Sequence, residues 1–329
     1  MKIVSLSRFG GPEVLSLAEQ PMPEPGPGQI LIKVAAAGIN FADILSRQNL
    51  YAVTPPLPSV PGSEVAGTVA ELGSGVRGLA VGQRVAGPLF AIGRYDGGYA
   101  EYAVIDAAYA VPLPDGVGFA EANALMVQGL TAYYLLRQAP AAGKSVLVTA
   151  AAGGVGSILV QLAKRAGASK VVAVAGSPEK LDFARSLGAE IAISYRDADW
   201  SQKVRDALGG TGPDVIYDSV GGDITREGLK LLAPLGQMVI FGALNIQDFQ
   251  LNIPDLLGLI FNNQSLTGFA VAPLLDAASL RRSLDELFGL VLSGELKVTI
   301  GGAYPLAEVA EAHRAVESRS TIGKVVLQP

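Results

Sequence analysis

The chain has 329 residues and a net charge of −5, with 50% hydrophobic and 17% charged residues, no cysteine and one histidine, His313. That length suits two domains, and the acidic balance argues against a nucleic-acid partner. The lack of cysteine excludes a disulfide framework, Cys–His catalysis and the cysteine-rich zinc sites.

Lys2 and Arg8 bracket a run too short for a signal-peptide core. The most apolar stretch, 145–162, is interrupted by Gly153, Gly154 and Gly156, and reads as strand, turn and helix rather than a span of about 20 apolar residues. A cytoplasmic protein without membrane attachment is expected.

Up to about residue 115 the pattern is β-rich, with short strands expected at 30–35, 65–69 and 84–86 and a turn into a strand over 97–104. The proline-rich run 21–28 is a loop, because each proline removes a backbone donor. A helical period follows over 119–137. Strands at 145–149, 170–174, 190–193, 214–218 and 237–241 then alternate with helices at 155–166, 178–187, 198–208 and 224–232. Such alternation implies an α/β fold with a doubly wound parallel sheet. The tail carries expected helices at 277–292 and 306–317 and a strand at 323–327.

Ala151-Ala152-Gly153-Gly154-Val155-Gly156 sits between the first of these strands and its helix. It is the dinucleotide pattern G-x-G-x-x-G with alanine at the first glycine. Ala152, Gly153, Gly154, Val155 and Gly156 are therefore expected around a pyrophosphate. Gly153 allows close backbone approach, Gly156 allows tight helix–strand packing, and the helix N-terminus offers free N–H groups. The alternative is an ordinary tight turn. About 20 residues on, where an NAD-selecting acid would stand, the chain has Ala175-Gly176-Ser177. Small residues leave room for a 2′-phosphate, Ser177 can donate a hydrogen bond and Lys180 can supply charge, which favours NADPH. Helix capping by Ser177 and a solvated face for Lys180 are the competing readings.

The run Val148-Thr149-Ala150-Ala151-Ala152-Gly153-Gly154-Val155-Gly156 resembles the signature of the zinc-free quinone oxidoreductases, the zeta-crystallin-like group of the medium-chain dehydrogenases/reductases. Ala175 to Lys180 and Ser194-Tyr195-Arg196 are similar too. Phe9 to Leu15 looks like the family's amino-terminal strand pair, and Tyr304 to Leu306, His313 to Ala315 and Gly323 to Leu327 look like its carboxyl end. The resemblance implies a Rossmann domain (122–269) inserted into a GroES-like β-rich catalytic domain (1–121 and 270–329), with the active site in the cleft. It also implies a homodimer formed through the Rossmann edge strand, 265–269. Compared with zinc alcohol dehydrogenases, the positions of the zinc-binding Cys and His look like Asn40 and Ser63, so no metal is expected; Glu64 reads as structural.

Without a Lewis acid, alcohol oxidation is disfavoured and hydride reduction of quinones or enones is the easier chemistry. By resemblance, Asn40 and Thr131 lie near the nicotinamide and its ribose, and Lys324 near the cofactor. Tyr195 would lie at the adenosine end, with Arg196 solvated. Phe241, Gly242 and Ala243 would line the cofactor site, and Phe269 and Val271 would face the carboxamide. Tyr51 resembles a proton-donating tyrosine of enoyl reductases, or is only an aromatic wall. Asp43 orients Asn40 or caps a helix; Asn40, Thr131 and Lys324 have structural alternatives as loop cap, helix interior and surface strand. His313 reads as part of a structural tail helix. The expected function is NADPH-dependent quinone reduction. A 2-alkenal or enoyl-thioester reductase and a non-catalytic NADPH-binding sensor or RNA-binding protein are the alternatives.

Overall fold

The computed structural model describes residues 1–242 and 250–329. They divide into two compact units, 1–130 with 271–329, and 131–270. The division falls after Leu130 and Ala270, whereas the sequence reading puts the joints at 121/122 and 269/270. The first expected joint lies inside a helical run that begins at Phe119.

The first unit is built on the long strand Gln29–Ile39. Val65–Leu72 and Tyr102–Asp106 both pair antiparallel with it, and Lys324–Gln328 pairs with its end. Alternate residues of these strands, including Ile30, Ile32, Val65, Val69, Ile105, Val325 and Leu327, form the core. Membership of this core alternates because successive side chains of a strand point to opposite faces. Two registers place the charged residues of this unit. Val325 pairs with Ile39, and Val65 pairs with Ala37. The residues just before Val325 and Val65 are Lys324 and Glu64, so both are delivered to the end of the long strand, beside Gly38 and Asn40.

The second unit holds a parallel sheet in the order Ile191–Ser194, Lys170–Ala175, Ser145–Val148, Val215–Asp218, Gln237–Ile240, Ser265–Gly268. Its central strands are apolar apart from their end residues, as burial on both faces demands; Val146, Leu147, Val148, Val172 and Ile216 are fully buried. The first strand in sequence stands at the centre, and the order reverses on either side of it. This is the Rossmann arrangement, whose ligands bind at the strand ends beside that reversal.

Several expectations need correction. Phe9 to Val14 is not a strand pair but the connection between strands Lys2–Leu6 and Leu15–Glu19, with a 3-10 turn at Pro12–Val14. The strand Ile300–Pro305, the helix Phe41–Arg47 and the helix Ile253–Phe261 are not anticipated by the sequence pattern. In Ile300–Pro305 the paired glycines 301 and 302 hide the strand pattern. A Cβ at Gly301 would stand 1.7 Å from the Ile322 carbonyl oxygen, so the close strand approach demands glycine. The helix expected over 306–317 is a 3-10 turn, Leu306–Glu308, followed by the α-helix Val309–Glu317. The helix expected over 119–137 is Phe119–Ala124 and Leu130–Gln138 joined by a π-turn, Leu125–Gly129. Among the described residues, no helix is long and apolar enough to cross a membrane.

Candidate functional site

In the second unit the glycine turn connects Ser145–Val148 to the helix Gly154–Arg165. Thr149 is anchored at the strand end, its hydroxyl donating to Asp218 Oδ1 at 2.7 Å. Ala150 then turns the chain with φ of 46°, a left-handed conformation that costs an alanine roughly 1 kcal/mol. The Gly153 N–H closes the turn on the Ala150 carbonyl at 2.8 Å. At Gly156 a Cβ would lie 2.4 Å from the Ala150 oxygen and 2.8 Å from the Ala151 Cα, so helix and turn touch through backbone. Gly153 caps the helix without a side chain, so the cap residue itself leaves the first-turn N–H groups uncovered. Those donors, with the helix dipole, suit a pyrophosphate.

Sequence reasoning missed Asp218. It is fully buried and accepts from the hydroxyls of Thr149 and Thr225 and the N–H groups of Val220 and Gly221. One carboxylate thus ties together two adjacent strand-to-helix turns. Its signal in the sequence is an acid that ends an apolar strand.

At the end of Lys170–Ala175, Ser177 is the N-cap of Pro178–Ser186 and accepts the Lys180 N–H at 3.4 Å. Ser177 and Lys180 are half-buried. The Tyr195 hydroxyl lies over Gly176, 2.6 Å from where a Cβ would be. Phe241 follows Gln237–Ile240, its N–H donating to the Asp218 carbonyl, and Gly242 packs against Ser219 with no room for a Cβ. Ala243 lies outside the described residues. The Phe269 N–H donates to the Ile240 carbonyl, and Thr131 is buried near the start of Leu130–Gln138. Val271 is buried and belongs to the first unit.

In the first unit, Asn40 precedes the helix Phe41–Arg47, and its backbone N–H donates to Asp43 Oδ2 at 2.7 Å. Its side chain turns elsewhere. Asn40 Nδ2 donates to Glu64 Oε1 at 2.8 Å, and Lys324 Nζ donates to Asn40 Oδ1 at 2.8 Å and to Glu64 Oε1. Glu64 Oε2 accepts the Val127 N–H at 2.8 Å. Val127 lies in the π-turn, where the widened helix leaves backbone groups to be satisfied by inserted side chains. Both charged side chains of the Lys324–Glu64 pair have zero exposure. Lys324 is therefore not a surface lysine. Removing either partner would leave a buried charge uncompensated. A Cβ at Gly38 would stand 2.1 Å from Asn123 Oδ1 and 2.3 Å from Glu64 Oε1, so the cluster needs glycine there.

Behind Asn40 the polar chain continues. Burial holds the Asp43 carboxyl at a pKa of about 7, against the opposing pull of the Asn40 N–H and Lys324. Tyr99, also fully buried, interacts with Asp43 through its hydroxyl, and that hydroxyl stands 3.2 Å from His313 Nε2 in a hydrogen bond whose direction follows the imidazole tautomer. Burial, with Arg47 nearby, pushes the His313 pKa down to about 3. His313 is thus a neutral core histidine. The Tyr51 ring meets Tyr95 edge-on, centroids 6.2 Å apart, and its hydroxyl pKa is raised by burial, then by Tyr95 and Asp43. Tyr51 stays a protonated donor.

The donors available near Asn40 do not fit zinc. Glu64 has both oxygens committed, a lysine ammonium already bridges Glu64 and Asn40, and the single imidazole is bonded to Tyr99.

Residues 26–115 match the alcohol dehydrogenase GroES-like domain and residues 154–287 the zinc-binding dehydrogenase family. A quinone oxidoreductase of Pseudomonas aeruginosa is 38% identical, with 100% of this chain and 99% of that protein covered. A 2-haloacrylate reductase of a Burkholderia species is 35% identical, with 98% of each covered. The crystal structure of Escherichia coli quinone oxidoreductase complexed with NADPH superposes with a TM-score of 0.92 at 35% identity, covering 100% of both chains.

Proposed function

The chain belongs to the quinone oxidoreductase family of medium-chain dehydrogenases/reductases, and on that premise we propose that it is an NADPH-dependent, zinc-independent reductase of quinones or related conjugated carbonyls. The observation that carries this reading is the glycine turn. A left-handed Ala150, a backbone-packed Gly156 and a helix without a side-chain cap form a cradle for a pyrophosphate, and no acid stands at the end of the second strand.

Ala152, Gly153, Gly154, Val155 and Gly156 hold the pyrophosphate. Ser177 and Lys180 take the 2′-phosphate, and Tyr195 covers the adenosine end. Thr131, Phe241, Gly242, Ala243, Phe269 and Val271 orient the nicotinamide. NADPH supplies the hydride when bound. Charge then develops on the acceptor's oxygen, and Asn40 donates an amide hydrogen bond to it while Tyr51 donates a hydrogen bond or the proton. Lys324 acts behind Asn40 rather than on the cofactor, because its ammonium is enclosed by Asn40 and Glu64.

The assembly is a homodimer. Among the described residues Ser265–Gly268 is an edge strand, and the neighbouring helix Ile253–Phe261 leaves Ile253, Leu256, Leu257, Ile260 and Phe261 exposed. A second copy continuing the sheet would cover both the unpaired edge and this apolar face.

Initial rates of NADPH and NADH oxidation in EDTA test the reading, against a small quinone, a bulky fused-ring quinone, a 2-alkenal and crotonyl-CoA. Quinone-dependent turnover that prefers NADPH supports it. Preference for the alkenal or thioester moves the assignment toward the enone reductases, a direction in which the 2-haloacrylate reductase relative points. Binding of NADPH without turnover on any acceptor favours a sensor, and loss of activity in EDTA refutes zinc independence.

A further inference from the structure

An asparagine amide has two N–H donors and one oxygen acceptor, and by itself it can face a ligand either way round. At Asn40 the choice is removed. Glu64 is a carboxylate and only accepts; the Lys324 ammonium only donates. With Nδ2 on Glu64 and Oδ1 on Lys324, both contacts are attractive. Turning the amide over would set N–H groups against the ammonium and the oxygen against the carboxylate. One Nδ2 hydrogen is used by Glu64, and among the described residues no hydrogen bond is found for the second. Asn40 keeps 5% exposure while Glu64 keeps none, so of this pair Asn40 is the one with surface left to offer a ligand. The ammonium on Oδ1 also draws electron density from the amide, which strengthens the remaining N–H as a donor.

We propose that Glu64 and Lys324 are positioning residues that lock the Asn40 amide as a hydrogen-bond donor toward the oxygen of the hydride acceptor. This rests on the role of Asn40 in the proposed reduction. The lock is built into the sheet: the register that pairs Val325 with Ile39 and Val65 with Ala37 brings the two charges to Asn40 from either side. Glu64 is held in turn by the Val127 N–H, so its carboxylate is fixed at both oxygens. A fixed donor costs no reorganisation as charge develops on the acceptor.

The test is a double-mutant cycle of Asn40→Ala and Lys324→Met, reading kcat and KM for a small quinone and the Kd of NADPH by fluorescence titration. Each single variant is expected to lower kcat roughly tenfold to a hundredfold. The double variant should be no slower than Asn40→Ala, because Lys324 acts through Asn40. The Kd of NADPH should change less than about threefold, and Lys324→Arg, which keeps the donor charge, should recover part of the kcat. If Lys324→Met slows the Asn40→Ala enzyme by the same factor as it slows the parent, the proposal is wrong. It is equally wrong if Lys324→Met weakens NADPH binding as much as it lowers kcat, or lowers only the melting temperature. If Asn40→Ala leaves kcat unchanged, the assignment of Asn40 fails instead. Where Lys324→Met does not fold, Glu64→Gln/Lys324→Met takes its place, since removing both charges leaves no unpaired ion in the core.

Discussion

The glycine turn of the second unit is made by neighbours in the chain: Ala150, Gly153 and Gly156 lie within one strand-to-helix connection. The polar cluster of the first unit is made by strangers. Asn40 is 24 positions from Glu64 and 284 from Lys324. The turn depends on the absence of side chains, while the cluster depends on three side chains meeting where strands end. A local site tolerates changes elsewhere and fails when its own backbone is crowded. A site assembled by register fails when any one of several distant segments shifts.

Crowding each site with one methyl gives the largest expected effects and separates the two. In Gly156→Ala the new Cβ meets backbone that cannot yield, and NADPH affinity should fall about a hundredfold or more, with roughly 1–3 kcal/mol of lost stability. In Gly38→Ala the Cβ meets Asn123, Glu64 and Lys324. There kcat should fall about a hundredfold, while the Kd of NADPH stays within about threefold. Titration by fluorescence and steady-state rates on the two variants decide it; loss of cofactor binding in Gly38→Ala would show that the two sites are not independent.

Asp218→Asn probes a smaller, long-range component hidden inside the local site. The amide places an N–H₂ where donors from Thr149, Thr225, Val220 and Gly221 converge. Urea unfolding should report a loss of about 1–3 kcal/mol, and NADPH should bind about tenfold more weakly as Thr149 and the turn relax. An unchanged Kd would mean that the turn holds its shape without Asp218.

The smallest expected effect is a pH dependence confined to the first unit. Asp43 has its folded pKa raised from 3.8 to about 7, so the folded state holds a proton that the unfolded state has released. Its contribution to stability is present in acid and declines as pH rises from about 4 to about 7. His313 has its folded pKa lowered from 6.5 to about 3, so its contribution is present above about 6.5 and is lost as pH falls toward 3. The two slopes oppose each other between about pH 4 and 6.5. Relative to the parent, Asp43→Asn should therefore gain stability with rising pH across that window, and His313→Gln should lose it. Melting temperatures at half-unit pH intervals would reveal the pair, and parallel curves for all three proteins would refute it.

Periodicity made most of the second unit legible. Strands of four to six residues alternate with helices, and the strand Ser145–Val148 and the cap Ser177 stand where the pattern puts them, as does the helix Ala277–Leu292 in the first unit. Legibility drops wherever a residue's role is set by a distant partner. Ile300–Pro305 is a strand because Lys324–Gln328 lies beside it, and its glycines conceal it. The run 119–137 reads as one helix, yet Glu64, just before the strand Val65–Leu72, takes the Val127 N–H in its π-turn.

What the sequence by itself determined was the fold class and the nucleotide turn, because side-chain period and glycine placement are properties of short stretches of chain; the candidacy of Asn40 came from the resemblance of its segment to the family's. Only the tertiary structure decided that Asn40 faces Glu64 and Lys324, that Lys324 is enclosed, and that Asp218 ties two turns together. The reason is physical. A buried charge is tolerated only where its partners already stand, and which partners those are is set by strand register across the sheet, which no local pattern records.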